Sequence, residues 1–340
     1  MMAAIDRVVA GAMWVIGHGG GEAPGHGLAE FWESWELYEH GVLAGVIVGA
    51  TLGLLGVYVV LRRLVFLSAA IGQTASLGVV VSLYLAAHVG VASVADGAAL
   101  GADLEYDALG AGMVEAVSPW WVPSPTVSAV LFTFLATLVI VGRKERTTVF
   151  REGLLGAIFL VGAAGTILLG AGLSHEMHAI EAILHGVGVA VLPEDFEMVW
   201  MLGLVVAFVH FVFWRGFAAV SFDPVGAAVS RMPVRFLDLM MAFTLALAIA
   251  AGIRALGALP VFALSILPSL AAIRVAPSLP WALVIGAVLG ALAGFWGYAL
   301  SFLHDWPVGA SQTLVALGLV AFTELVRICW IWGRRLQSRH

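Results

Sequence analysis

The chain has 340 residues, of which 61% are apolar and 11% charged, and its mean hydropathy is +1.02. These values exclude a soluble globular protein and place it among membrane proteins, so its length counts spans and not domains. A formal net charge of -6 with no basic patch gives no ground for a nucleic-acid partner, and a single cysteine, Cys329, excludes an internal disulfide or a thiolate metal cluster.

Residues 1–39 read as a periplasmic or interfacial amino-terminal segment. Its apolar run from Val8 to Ile16 is too short to cross ~30 Å of hydrocarbon and is not followed by an A-x-A cleavage site. His18, His26 and His40 stand among glycines and glutamates. Such a tract could concentrate cations, and a solvated tail or a docking surface fits equally well.

Apolar runs at about 41–61, 64–92, 125–142, 152–173, 198–214, 237–256, 259–273, 281–303 and 309–332 give nine expected spans. The fold class is therefore all-α, a polytopic transmembrane helix bundle over residues 40–333 with a short tail at 334–340. Arg62 and Arg63, then Arg143 to Arg151, then Arg215 to Arg235, then Arg274, then Arg334 to Arg339 fall between alternate spans, and the other connections are acidic. Basic loops face the cytoplasm, so the amino terminus is expected outside and the carboxyl terminus inside. Trp200, Trp214, Trp281, Trp306, Trp330 and Trp332 sit at span ends, where an indole keeps its ring in lipid and its N–H near water. In the first span Gly41, Gly45, Gly49 and Gly53 form a four-residue repeat that lets another helix approach closely.

The longest basic connection, 215–236, carries Arg215, Arg231 and Arg235 and reads as a cytoplasmic foot, although a plain solvated loop would carry the same charge. Ser221 can cap a short helix there and Pro224 suits its first turn. The only lysine, Lys144, lies in a charged turn, so no G-x-x-x-x-G-K-[ST] phosphate loop is possible. The chain is expected not to be an ATPase or any other enzyme. His175-Glu176-Met177-His178 has one residue fewer between its histidines than H-E-x-x-H, which argues against a zinc protease.

Four segments together resemble the permease subunits of bacterial ABC importers for zinc, manganese and iron, the ABC-3 family. Leu61 to Ala75 is similar to L-R-R-x-x-F-x-G-D-A-x-S-H-A, and Phe222-Asp223-Pro224 with Val234 to Asp238 is similar to the family's F-D-P-x-x-A coupling stretch. Gly257 to Ser269 resembles G-x-L-L-V-x-A-L-L-I-x-P-A, and Asp305 to Ala310 matches D-x-P-x-G-A. The family's Asp and His, credited with handling the ion, fall on Ala69 and Gln73. The resemblance implies an inner-membrane multi-pass permease working by alternating access. It further implies a homodimer, a cytoplasmic ATP-binding subunit that docks on Phe222, Asp223 and Pro224, and a periplasmic solute-binding protein.

Candidate metal ligands lie in the outer connection after the fourth span. If 174–192 is helical, His175, His178, Glu181 and His185 fall within roughly 120° of one another around the axis, with Glu176 beside them. Three histidines in eleven residues exceed the background of ten in 340, and imidazole with carboxylate suits zinc first, then manganese or iron. A polar face on a re-entrant helix is the plainer alternative. Within the spans Ser68, Gln73 and His210 are the polar groups that could line a path, and Glu324 and Arg327 are spaced to pair at i, i+3. The expected function is the permease of an importer for a divalent transition metal, zinc first, with no bound cofactor. The alternatives are a permease for a metal chelate or other solute and, behind it, a stand-alone secondary transporter or channel.

Overall fold

A line of glycines at every fourth position leaves a helix face with no side chains to hold a neighbour away, and the structure shows which neighbour uses it. The computed structural model describes residues 28–98, 122–142, 148–172, 191 and 193–337. Among these residues the helices are α1 (Leu28–Glu33), α2 (Trp35–Leu61), α3 (Val65–Ala98), α4 (Pro125–Gly142), α5 (Thr148–Ala171) and α6 (Pro193–Phe222). They continue with α7 (Pro224–Val229), α8 (Val234–Leu256), α9 (Ala258–Val275), α10 (Leu279–His304) and α11 (Val308–Gln337).

Each of the nine expected spans coincides with one helix: α2 to α6 and α8 to α11. Eight of them are long and apolar enough to cross a membrane, and the apolar part of α4, Pro125–Val141, is shorter. The expected boundary at residue 39/40 falls inside α2, which begins at Trp35. Phe31 and Tyr38 pack edge-on against Phe302 of α10, and Trp32 stacks on Trp35. Aromatic packing against α10 therefore carries the helix beyond its apolar run.

The glycines of α2 meet a matching repeat on α10. A methyl group on Gly49 would strike the carbonyl of Gly290 and one on Gly290 the carbonyl of Gly49; Gly53 and Gly286 stand in the same relation, and one on Gly294 would strike the carbonyl of Gly45. As the number rises on α2 it falls on α10, so the two helices run antiparallel with their backbones in contact. Backbones this close gain dispersion contacts that bulkier residues would forbid, and packing of this kind replaces the hydrophobic effect inside lipid. α2 also meets α9, where Ser269 Oγ donates to Gly53 O over 2.8 Å and Gly56 faces the carbonyl of Ser265. Pro268 lies inside α9 at this point.

Ion pairs fix which helix ends lie together. Arg62, at the end of α2, contacts Ser221 at the end of α6 and Asp238 at the start of α8. Arg254, at the end of α8, pairs with Asp195 at the start of α6 over 2.8 Å. The α2–α3 turn and the foot thus share one end of the bundle, as the charge pattern requires, and the Asp195–Arg254 pair marks the other.

Candidate translocation groove and cytoplasmic foot

Buried hydroxyls in these helices mostly return their proton to a carbonyl one turn back. Thr51, Thr133, Thr137 and Thr166 bond to residues i-4, and Thr74 and Thr244 to residues i-3. Ser68 breaks this pattern: it is 1% exposed and its Oγ has no partner. Five residues on, Gln73 also has a buried and unpartnered Oε1. An unsatisfied polar atom inside a bundle costs on the order of 1–3 kcal/mol; His210 Nε2 on α6 and Ser311 Oγ and Gln312 Oε1 on α11 are also unpartnered, and what sets Ser68 and Gln73 apart is the groove beside them.

Both residues line one groove of about 580 Å³. Its walls are Phe66, Ser68, Ala69, Gly72 and Gln73 of α3, Phe159 and Ile167 of α5, and the first turns of α9 from Ala258 to Phe262. Phe66 begins the groove at the second residue of α3, and Phe159 lies against it with ring centroids 5.4 Å apart. The wall runs from Phe66 to Gln73 on α3 and from Phe159 to Ile167 on α5, roughly 10–12 Å along each axis at 1.5 Å per residue. The groove therefore covers about two turns of each of these helices. α5 comes close beside Gln73 because Gly162 faces that residue's backbone, and a Cβ there would sit 2.7 Å from the Gln73 carbonyl carbon. The wall residues include no carboxylate and no imidazole, so Ser68 and Gln73 supply its polar side chains.

His210 stands elsewhere. It is 3% exposed on α6, with its ring 4.7 Å from Phe217 and 5.7 Å from Tyr58, and its Nδ1 lies 3.0 Å from Val206 O. The structure brings Ser68 and Gln73 together and sets His210 in a separate packed cluster. His175, Glu176, His178, Glu181 and His185 lie outside the described residues, as do His18 and His26. No group of three or more His, Cys, Asp or Glu placed to hold a metal ion occurs among the described residues.

At the basic end of the bundle, α7 forms the tip of the foot. Its cap is Asp223, whose Oδ1 accepts from Gly226 N over 2.8 Å, and Pro224 occupies the first helical turn. Ser221, the expected cap, instead accepts a hydrogen bond from Arg62. The physical reason is register: α6 runs on through Phe222, so Ser221 is still helical and Asp223 is the first residue free to cap. Ala227 is buried, anchoring α7 on the bundle. Phe222, Val225 and Val229 are 63%, 72% and 80% exposed, beside Arg231 and Arg235. Phe222 at the end of α6 and Val225 and Val229 of α7 thus leave apolar side chains exposed beside charge.

The intramembrane carboxylate Glu324 has two partners. Arg327 on its own helix lies 3.5 Å away, and Arg274, at the end of α9, comes within 2.6 Å. The second partner escaped the sequence because it depends on how α9 packs on α11.

A bundle of spans with a groove along one side and a capped, apolar-tipped foot at its basic end is the architecture of a transport permease. The model of the ABC 3 transport family matches residues 34–118 and 109–327, and the chain belongs to that family. It is accordingly a multi-pass protein of the bacterial inner membrane. A manganese transport system membrane protein, MntC, of Halalkalibacterium halodurans is 26% identical over 288 residues, covering 85% of this chain and 86% of the relative. The chelated iron transport system membrane protein YfeD of Yersinia pestis is 27% identical over 202 residues, 58% of this chain and 67% of the relative. The solved structure of PsaBC from Streptococcus pneumoniae in complex with Fab shares the fold, with a TM-score of 0.69 and 21% identity over 87% of this chain and 95% of that chain.

Proposed function

We propose that this chain is the membrane-spanning subunit of an importer that carries a divalent transition metal to the cytoplasm, driven by ATP hydrolysis on a separate subunit docked on the foot. The observation that carries this reading is the foot itself. Asp223 fixes a short helix that exposes Phe222, Val225 and Val229 among arginines, in a chain with no phosphate-binding loop of its own. Two copies would close their grooves against one another, which suits the exposure of Phe66, Ile167 and Phe262 on the groove's rim. A solute-binding protein would deliver the cargo to the outer face.

The metal class is supported by relatives named for manganese and for chelated iron. Zinc rests on the imidazoles of His175, His178 and His185, which suit it as ligands together with Glu176 and Glu181. A second reading, a metal chelate as cargo, is favoured by one observation. The groove meets its cargo with the neutral Ser68 and Gln73 and with Ala69 where the family has a carboxylate, and neutral oxygens bind a bare dication weakly.

The test is to replace Phe222 and Asp223 together with alanine. The ATP-binding subunit should no longer co-purify and metal uptake should fall at least about tenfold while the bundle stays folded. Wild-type uptake would show that the foot is not the docking surface. In the same uptake assay, competition among free zinc, manganese and iron, and their citrate chelates, separates the two cargo readings.

A further inference from the structure

We propose that Arg62 is a positioning residue that clasps the foot to the groove-bearing helix α3, so that movement of the foot reaches Ser68 and Gln73. This rests on the reading of α7 as the docking surface.

The geometry points to Arg62 because its guanidinium joins three helices at one point. Its Nε donates to Ser221 Oγ over 2.9 Å and its Nη1 contacts Asp238 Oδ1 at 2.6 Å. Ser221 lies near the end of α6, before α7, and Asp238 is the fifth residue of α8, after it, so Arg62 touches the helices on both sides of the foot's tip. Its own backbone is equally constrained. Arg63 N donates to Val60 O and Leu64 N to Val59 O, the paired bonds that close a helix with a left-handed residue after it. That residue is Arg63, at φ 57°.

This rigid turn leads straight into α3. Ser68 lies six positions after Arg62 and Gln73 eleven, with Leu67 N bonded back to Leu64 O at the start of the helix. A push on Ser221 and Asp238 therefore reaches the groove through one side chain and about three turns of backbone. A cavity of about 480 Å³ beside Arg62, lined also by Leu64, Leu67, Pro224 and Met241, leaves the clasp room to shift. The side chain of Arg62 is 14% exposed and its Nη2 has no partner, which is the state of a group held in place by geometry more than by full pairing. Coupling carried by a discrete junction of this kind requires that its removal separate the events at its two ends.

The experiment reconstitutes the permease with its ATP-binding subunit and binding protein in proteoliposomes and measures metal transported per ATP hydrolysed. Arg62→Gln should leave subunit co-purification intact and lower transport per ATP about tenfold, within the 5–150-fold range of typical couplings. The exchange Arg62→Asp with Asp238→Arg should recover part of it. Ser221→Ala, which removes one arm and leaves the ion pair, should give a smaller loss of two- to threefold and decides the matter if Arg62→Gln fails to fold. Unchanged transport per ATP in the folded variants overturns the clasp, and so does loss of co-purification in Arg62→Gln, which would make Arg62 part of the docking surface. The foot reading fails separately, if the Phe222 and Asp223 double variant still binds the ATP-binding subunit.

Discussion

Glu324 shows how single residues settle a charge in an apolar helix. A carboxylate in an apolar helix is costly unless paired, and Arg274 and Arg327 approach it from two helices. All three side chains are 30–49% exposed, so solvent and headgroups screen the pairs and each contributes on the order of 0.5–1 kcal/mol. Arg274→Ala should lower the melting temperature in detergent more than Arg327→Ala, because its contact is shorter and joins α9 to α11. A double-mutant cycle on Arg274 and Glu324 that shows no coupling would refute the cross-helix pair. The i, i+3 pair was legible in the sequence because helical spacing alone defines it; the cross-helix pair was not, because no local pattern encodes packing. The same holds for Ser68 and His210. Both were plain as polar residues in apolar runs, but only the fold separates the one in the groove from the one packed on Phe217. The outer histidines carry their own prediction. Changing His175, His178 and His185 to alanine should depress zinc uptake most at low external zinc, and wild-type uptake should weaken as pH falls below ~6.5, where imidazole protonates and ceases to be a ligand. Uptake unaffected by the triple substitution would remove the site.

Among the elements, the α2–α10 pair is the one on which the bundle depends most visibly. A methyl group on Gly49 or Gly53 would strike the carbonyl oxygen of Gly290 or Gly286 and force the backbones apart, while one on Gly45 would meet Gln312 Nε2 at 2.9 Å and Gly294 O at 3.3 Å. Gly49→Ala or Gly290→Ala should destabilise the protein by about 1–3 kcal/mol, as overpacking does. Gly153→Ala and Gly156→Ala, where an added Cβ meets nothing within 4 Å, should be neutral or slightly stabilising through helix propensity. Equal melting temperatures for the two sets would contradict the close approach. The repeat on α2 announced such contact, and the repeat at Gly286, Gly290 and Gly294 was equally regular. What the sequence withheld was the pairing of the two, 230 to 250 residues apart. Span existence was legible throughout because length and hydropathy decide it, while helix ends were less so. α2 starts early on aromatic packing, and α6 runs past the membrane into the foot, which moved the α7 cap from Ser221 to Asp223. Local chemistry and topology also compete in the turns. Arg63 and Arg231 both take the left-handed conformation at 57° and 59°, where glycine would be easier. They keep positive charge at the cytoplasmic face instead.

At the scale of the whole molecule, the charged groups lie where a lever would need them. Arg62 and Asp238 fasten the foot end of α8, Arg254 and Asp195 fasten its other end to α6, and the groove lies beside the first turns of α3. In the proposed function this bundle moves metal only when ATP is hydrolysed beneath it. Proteoliposomes containing the permease, its ATP-binding subunit and its binding protein should accumulate a divalent transition metal, free or chelated, against a gradient when ATP is supplied inside the cytoplasmic compartment, and should accumulate none without ATP or without that subunit. Accumulation by the permease alone, or ATP hydrolysis with no metal or chelate moved, would contradict the account.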